Sequence, residues 1–418
     1  MLKRLWGMST FLVNEAPRLK PVIFVAGCTG TGKSDLGVAL SERFGGEVVN
    51  SDSMQIYKGL DIATNKITDE EAKGIAHHLF SFVDPNSSSA FEKGFTVHDY
   101  RQMALKLIDE IHERNAIPIL VGGTTYYIES VLYDENFIEN PGTSTMETFA
   151  EMSNEELHKH LEKIDPVSAS KVHPNNRSRV QRAINIFAET GLRKSDHLSK
   201  QVTRLRFKNS LFFSLDADPK VLDKRLDDRV KKMHVNGLRE EVEHFYEAHK
   251  EVIDSGKYGV MQAIGLKEFQ PYLQLIERRD ENGDKMFTKC CLDVQLHTRQ
   301  YSRKQRSWVR NRLLWRKDDK EYPSILCIDT SNPKTYIDAS IEKMKEWLNG
   351  KDYLPELPSD YESPESGEES NQVLRCDECE VIIHGKRHFE KHVQGKRHRG
   401  VVAKKRRKIE KEEIAQVL

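Results

Sequence analysis

Residues Gly27 to Ser34, Gly-Cys-Thr-Gly-Thr-Gly-Lys-Ser, fit the phosphate-loop pattern G-x-x-x-x-G-K-[ST]. An apolar run precedes them at Pro21–Ala26, and a helix-compatible stretch follows at Asp35–Phe44. This order of strand, glycine loop and helix is the context that the motif requires, because the glycines let backbone N–H groups converge on phosphate oxygens. We therefore predict a di- or triphosphate site made of Gly27, Cys28, Thr29, Gly30, Thr31, Gly32, Lys33 and Ser34. The Lys33 ammonium would reach the outer phosphates, and the Ser34 hydroxyl would ligate Mg²⁺.

Strand-like runs recur along the chain and alternate with helical patterns such as Asp99–Arg114. The runs are Pro21–Ala26, Glu47–Asn50, Ile117–Val121, Leu211–Leu215 and Ile325–Ile328. Their alternation with helices predicts an α/β fold in which a parallel sheet is covered on both faces. Ligands of such sheets bind at the carboxyl ends of the strands. The phosphate loop, Asp52 and Gly122-Gly123-Thr124 each follow a strand, so we predict that they face one cleft.

Composition and charge narrow the class of protein. A chain of 418 residues holds about two or three domains. The 65 basic and 65 acidic residues balance, but Glu356–Glu369 is acidic and Lys386–Lys408 is densely basic, which indicates a linker and a polyanion-binding tail. Six cysteines make no disulfide framework in a chain of this length, and no apolar run approaches the length of a membrane span. We predict an intracellular protein with no membrane partner.

Shifts in pattern divide the chain into parts, and Ser153-x-x-Glu156 predicts the start of a helix in one of them. The segment Asp134–Thr148 matches no pattern and receives no site prediction. The predicted parts are an N-terminal extension at 1–20, the first part of a P-loop core at 21–139, a helical insertion at 140–205, the second part of the core with arginine-rich helices at 206–350, an acidic linker at 351–373, a zinc finger at 374–400 and a basic tail at 401–418.

Two polar segments supply candidate catalytic residues. Asp52 follows the second strand, and a carboxylate beside bound phosphates holds Mg²⁺ or acts as a general base, although Asp at this position also suits a helix N-cap. Gly122-Gly123-Thr124 follows the third strand, where glycines permit close approach to a ligand. An ATPase often has Asp at that point, so the Gly-Gly-Thr sequence is weak evidence against ATP hydrolysis.

Arginine is clustered in three runs. They are Arg177, Arg179 and Arg182; Arg225 and Arg229; and Arg299, Arg303, Arg306 and Arg310. The last four share one face of a helix by their spacing, with Tyr301 and Trp308 nearby. One such run is usually a solvated face, but three runs favour binding of a nucleic-acid backbone with stacked bases.

The C-terminal region has the spacing of a two-Cys, two-His zinc finger. Cys376-x2-Cys379-x12-His392-x5-His398 supplies the ligands, with His384 and His388 as alternatives. The finger predicts a structural Zn²⁺ and added affinity for RNA, or a purely structural zinc site. Lys404–Lys408 is typical of a nuclear localisation signal or an RNA-backbone patch.

Taken in order, these motifs resemble the tRNA dimethylallyltransferase family, in its eukaryotic form with a C-terminal finger. The resemblance covers about Pro21 to Trp315. Its pieces are the phosphate loop, Asn50-Ser-Asp-Ser-Met-Gln-Ile-Tyr57, His77-His78-Leu79, Gly122-Gly-Thr-x-x-Tyr127, His173-Pro-x-Asn-x-x-Arg-Val-x-Arg182, Leu226-Asp-Asp-Arg-Val230, Ala263-Ile-Gly-Leu-Lys-Glu-Phe269 and Thr298-Arg-Gln-Tyr-x-Arg-Lys-Gln-x-x-Trp308.

The resemblance implies transfer of a dimethylallyl group from dimethylallyl diphosphate to N6 of adenosine 37, beside the anticodon of tRNA. It implies that the phosphate loop binds the diphosphate, not ATP, and that the catalytic residues are Asp52 as general base, Thr124 in the channel and Arg229 as a diphosphate clamp. It implies that the tRNA anticodon stem-loop contacts Asp52, Ser53, Met54, Gln55, Arg179, Arg182, Arg299, Arg303 and Arg306.

Two other functions fit parts of the sequence. A P-loop kinase explains Gly27–Ser34 but not the arginine runs or the finger, and a non-catalytic RNA-binding switch explains the finger but not Asp52 and Thr124. Both would bind ATP or GTP. We expect a monomer located in the cytosol, with nuclear and mitochondrial pools because of Lys404–Lys408 and the basic stretch Met1–Lys20.

Overall fold

The computed structural model describes residues 18–86, 94–134, 149, 151–199, 203–255, 259–278, 281–314, 320–354 and 373–417. The basic N-terminal stretch up to residue 17, most of the 134–148 segment and most of the acidic linker lie outside these residues. In the part of the chain that is described, no helix is both long and apolar enough to span a membrane.

A six-stranded, fully parallel sheet forms the centre of the larger unit. Its strands are β1 (Val22–Gly27), β2 (Gly46–Asn50), β3 (His77–His78), β4 (Ile117–Gly122), β5 (Ser210–Asp216) and β6 (Ser324–Asp329), in the spatial order β3-β2-β4-β1-β5-β6. The five predicted strands and the parallel sheet are confirmed. The sequence did not reveal β3, because two histidines are too short a run to show a strand pattern.

Helices cover this sheet and form the rest of the fold. They are α1 (Lys33–Phe44), α2 (Asp69–Ala72), α3 (Val97–Glu113), α4 (Thr125–Leu132), α5 (Asn154–Ile164), α6 (Pro166–Ser170), α7 (Arg177–Thr190), α8 (Lys194–Ser199), α9 (Pro219–Val235), α10 (Leu238–Ser255), α11 (Gln270–Glu277), α12 (Gly283–Val309) and α13 (Tyr336–Leu348). A hairpin of β7 (Val373–Cys376) and β8 (Val381–His384) precedes α14 (Lys386–Gln394) and α15 (Lys396–Val417).

Alternate residues of the central strands enter two separate apolar layers. Phe24 of β1 packs with residues of α3 and α4 on one face, and Ile23 and Val25 pack with residues of α1 and α13 on the other. Both layers are fully buried at these positions. A parallel sheet buried on both faces reads as a continuous apolar run, which is why the sequence revealed these strands.

The chain divides into two compact units. The first contains 1–135 and 203–358, and besides the sheet it has a second apolar core among α9–α12, where Leu266 and Phe269 are fully buried. The second contains 136–202 and 359–418. Within it, α5 and α7 enclose a small core around Leu157 and Leu161. The predicted cap is confirmed: the Ser153 side chain accepts a hydrogen bond from the Glu156 amide, and the Glu156 carboxylate accepts one from the Ser153 amide.

Candidate active site

The phosphate loop lies where β1 ends and α1 begins, as the motif requires. Gly30 and Gly32 have φ values of +85° and +77°, which only glycine adopts without strain. The Thr31 hydroxyl donates to the Cys28 carbonyl over 2.8 Å, and the Lys33 ammonium donates to the same oxygen over 2.9 Å. Burial lowers the pKa of Lys33. The loop is thus closed on itself, and Lys33 lines the adjacent cleft.

Thr29 of the loop is held from two sides. Its hydroxyl accepts a hydrogen bond from the Arg229 guanidinium of α9 over 2.8 Å, and its amide donates to the Gln305 side chain of α12 over 3.0 Å. Burial lowers the pKa of Arg229 to about 10, although the Asp52 carboxylate acts in the opposite direction. Arg229 is therefore a partly desolvated cation beside the phosphate loop, which suits it to a polyanionic ligand.

Asp52 lies just beyond β2, in a turn that leads into no helix. Its backbone is fixed by Asn50, whose side chain accepts from the Asp52 amide over 2.9 Å and donates to the Asp52 carbonyl over 3.1 Å. Its carboxylate accepts from the Met54 amide over 3.0 Å. Asp52 is thus not a helix N-cap, and its second carboxylate oxygen has no hydrogen bond to the described part of the chain.

The turn after β4 lies against the turn after β2. The Ser53 amide donates to the Thr124 hydroxyl over 2.9 Å, and the Thr124 amide donates to the Ser51 carbonyl over 3.0 Å. A side chain at position 122 would collide with the Ser51 backbone, which explains the glycine there. Thr124 is the N-cap residue of α4, but its hydroxyl makes no capping hydrogen bond and instead contacts Ser53 in the Asp52 turn.

One cleft of about 290 Å³ collects most of these groups. Its lining includes Thr29, Lys33, Ser34, Asp52 and Arg229. The Lys33 and Arg229 cations and the Asp52 carboxylate thus face the same space at the carboxyl edge of the sheet, as the sequence predicts. The carboxylates of Asp35 and Glu71 also belong to the lining. Thr124 lies outside this lining, but its hydroxyl accepts a hydrogen bond from the amide of Ser53, the residue that follows Asp52.

The residues assigned to tRNA beside Asp52 have structural partners here. The Gln55 side chain donates to the Thr64 and Asn65 carbonyls, each over 3.0 Å. Met54 packs against the apolar core of α9–α12. Their contact with tRNA remains a prediction.

The arginine face of α12 exists, but it is turned towards carboxylates. Arg303 contacts Asp223 of α9 over 2.8 Å, and Arg306 contacts Asp216 at the end of β5, also over 2.8 Å. Arg299 pairs with Asp227 of α9, and Arg310 reaches Asp216 over 3.3 Å. We call these four pairs, two with α9 and two with Asp216 of β5, the α9–α12 ladder. Any phosphate contact by these arginines must compete with the ladder.

Arg179 and Arg182 are exposed on α7, within the second unit. Lys194 at the start of α8 lies close enough that burial and then the charges of Arg182 and Arg179 lower its pKa. Arg177 instead has an internal role, because it donates to the Met152 carbonyl over 2.6 Å. The cluster of Arg179, Arg182 and Lys194 is suited to an anion, and its contact with tRNA remains a prediction.

The ligand atoms of Cys376, Cys379, His392 and His398 lie within 4.8 Å of one another. His398 Nδ1 is 3.4 Å from each cysteine sulfur. The Nε2 atom of His392 is buried and has no hydrogen-bond partner in the described part of the chain. Two thiols and two imidazoles are the donor set of a tetrahedral zinc site, so these four residues fit Zn²⁺, and His388 is not one of the cluster.

Sequence reasoning missed the buried polar residues that hold the cleft together. Gln305 links the phosphate loop to the Gly123 carbonyl, and the Ser51 hydroxyl lies 2.6 Å from that of Tyr100. Gln305 belongs to the Arg-Lys-Gln motif, but that motif drew attention for its arginines and aromatic residues. The amide's role follows from a contact between residues 276 positions apart, which no local pattern reveals.

Residues 55–312 match the family model described as IPP transferase. A mouse protein named tRNA dimethylallyltransferase is 36% identical over 416 residues, covering 93% of this chain and 87% of its own length. A Schizosaccharomyces pombe protein of the same name is 32% identical and covers 94% of this chain and 98% of its own length. Among solved structures, one of a eukaryotic dimethylallyltransferase acting on tRNA has a TM-score of 0.76 and 28% identity, covering 94% of this chain and 99% of its own.

Proposed function

The chain belongs to the IPP transferase family, and on that premise we propose that it transfers a dimethylallyl group from dimethylallyl diphosphate to N6 of adenosine 37 in tRNA. One observation supports this most strongly. A phosphate loop with two cations, Lys33 and Arg229, lines the same cleft as the Asp52 carboxylate. The reaction needs cations that stabilise the departing diphosphate, and it needs a proton acceptor close to them.

The chemistry follows from the charges in the cleft. The exocyclic amine of adenine is a weak nucleophile because its lone pair is delocalised into the ring. An allylic carbon compensates, since the charge that develops on it is shared over two positions. Backbone amides of the loop, Lys33 and Arg229 stabilise the departing diphosphate. Asp52 accepts the N6 proton as the carbon–nitrogen bond forms.

The cleft also suits Mg²⁺, the cofactor predicted for the loop. Ser34 and Asp35 both line it and offer a hydroxyl and a carboxylate oxygen. Oxygen donors are the ligands that Mg²⁺ prefers, usually alongside substrate phosphates. We propose Ser34 as a protein ligand, and the ion would add positive charge at the leaving diphosphate.

The tRNA anticodon stem-loop is the proposed acceptor. A base in such a loop leaves its stack more cheaply than one in a duplex, so adenosine can reach Asp52. The arginines of α7 and α12 would hold the backbone, and the zinc finger would add affinity. We further propose a monomer with a cytosolic pool and with nuclear and mitochondrial pools; the basic run Lys404–Lys408 supports the nuclear one.

Nucleoside mass spectrometry tests the function. The full chain is incubated with Mg²⁺ and unmodified tRNA, and either dimethylallyl diphosphate or ATP is supplied. We expect a five-carbon adduct on adenosine with the prenyl donor alone. ATP consumption without an adduct would instead identify a kinase.

A further inference from the structure

Gln305 is a buried side chain that links two of the segments beside the cleft. Its side-chain oxygen accepts a hydrogen bond from the Thr29 amide over 3.0 Å, and its side-chain nitrogen donates to the Gly123 carbonyl over 2.9 Å. The residue is 5% exposed. Because one partner is an obligate donor and the other an obligate acceptor, the orientation of the Gln305 amide is fixed by its neighbours.

These two hydrogen bonds link the segment that would bind the donor to the segment next to the proposed base. Thr29 belongs to the loop that would hold the diphosphate, and Gly123 belongs to the turn that reaches Asp52 through Thr124 and Ser53. A side chain at position 123 would lie 2.5 Å from the Gln305 nitrogen, so glycine is required for the amide to approach. Thr29 is also held by Arg229 on its other side. The loop therefore has little freedom relative to the turn.

We propose that Gln305 is a positioning residue, which sets the separation between the phosphate loop and the Gly123–Thr124 turn and thereby aligns donor and acceptor. The inference rests on the proposed prenyl transfer. Helix α12 carries both Gln305 and the arginines predicted to contact tRNA, so it would connect those arginines to the donor loop. Misplacement of reacting groups by about 1 Å costs about a hundredfold in rate.

Gln305→Glu offers a test with a pH signature. A carboxylate at this position can accept from Thr29 but cannot donate to Gly123, whereas a protonated carboxyl group can do both. Burial raises the pKa of such a glutamate above its usual value of about 4.3. Tyr301 on the same helix shares a side-chain hydrogen bond with Gln305, and the Asp52 carboxylate, which also lies beside Gly123, would raise that pKa further. The Arg229 guanidinium, which is bonded to the Thr29 hydroxyl, would oppose the increase.

The experiment measures kcat at saturating tRNA and dimethylallyl diphosphate, at about pH 8 and about pH 5.5, as a ratio to the wild type. We expect the relative kcat of Gln305→Glu to fall by about tenfold to a hundredfold at the higher pH. At the lower pH, this relative kcat should recover several-fold. Gln305→Met keeps the side-chain volume but makes neither hydrogen bond, so its kcat should stay low at both values of pH. Gln300→Glu, the same change at an exposed position of α12, serves as the matched control and keeps wild-type kcat.

Thermal unfolding and the tRNA dissociation constant are measured for each variant. Unchanged values with a lower kcat support positioning. Gln305→Glu with wild-type kcat at both values of pH, or with a loss that does not recover at the lower pH, would overturn the inference. Absence of prenyl transfer by the wild type would instead refute the proposed function.

Discussion

At the scale of single residues, the two cations of the cleft differ in how easily they lose their charge. Burial lowers the pKa of both Lys33 and Arg229, but Arg229 stays charged at neutral pH with a pKa of about 10. A lysine whose pKa is lowered sheds its proton at a pH where it would ordinarily keep it. We therefore expect titration of Lys33 to make donor binding depend on pH.

We predict that dimethylallyl diphosphate binds more weakly as pH rises through the lowered pKa of Lys33. The sign follows because the anionic donor favours the protonated amine: binding is strongest below that pKa, and charge is lost above it. Calorimetry between about pH 7 and 9.5 measures the effect. Lys33→Arg, which keeps its charge, should flatten the dependence. An equal slope in both proteins would show that another group is responsible.

Single residues with a strong local motif were predictable from the sequence, and buried connectors were not. Lys33 lies in a pattern with a known physical role, and Asp52 follows an apolar strand. Asn50 fixes the Asp52 backbone, yet an asparagine at the end of a strand has no distinctive pattern. Its role depends on a partner that only the folded chain supplies.

At the scale of elements, β2 and β4 bring the proposed base to the Gly-Gly-Thr turn. The Ser51 amide donates to the Val121 carbonyl over 2.8 Å, which continues the parallel pairing past the end of β2. There is no room for a side chain at Gly122 against this backbone. The approach of the two strand ends therefore depends on glycine.

Gly122→Ala should lower the free energy of unfolding by about 1–3 kcal/mol, because the added methyl group must displace the backbone of Ser51. Chemical denaturation measures the loss. Gly283→Ala at the start of α12 is the control, since its nearest neighbours would be 3.8 Å away, and it should be neutral or stabilising. Equal stability of the two variants would contradict this packing of the strand ends.

Element positions were predictable where periodicity was strong, but the surroundings of an element were not. The spacing of Arg299, Arg303, Arg306 and Arg310 predicts one helical face. The structure places the first three on α12 and Arg310 in the helical turn that directly follows it. That face pairs with Asp223, Asp227 and Asp216 in the α9–α12 ladder, which the sequence did not reveal. Helical spacing shows which residues share a face and gives no information about what packs opposite.

At the scale of the whole molecule, the cleft lies in the first unit, whereas the finger cluster lies in the second. Its four ligands were chosen from six cysteine and histidine candidates by spacing alone, and the structure gathers that set. Zinc-binding spacing is predictable because a tetrahedral ion fixes the geometry of its loop. The domain boundaries, by contrast, remain predictions.

Cys379→Ser should abolish stoichiometric zinc binding and weaken tRNA binding, while kcat at saturating tRNA stays within about twofold of the wild type. The reason is that the finger, for which we propose a role in affinity, contributes none of the residues that line the cleft. Metal analysis and tRNA titration measure both effects. His388→Asn, which alters a histidine outside the cluster, should keep its zinc. Loss of zinc in that control would contradict the ligand set.

The most direct measurement is single-turnover transfer by Asp52→Asn. Asparagine can still accept the hydrogen bond from the Met54 amide, so the turn is kept while the proton acceptor is lost. We predict that the transfer rate falls by about 10²- to 10⁴-fold while the tRNA dissociation constant is nearly unchanged. A transfer rate close to that of the wild type, or an equal loss of tRNA affinity, would contradict the role of Asp52 as the general base.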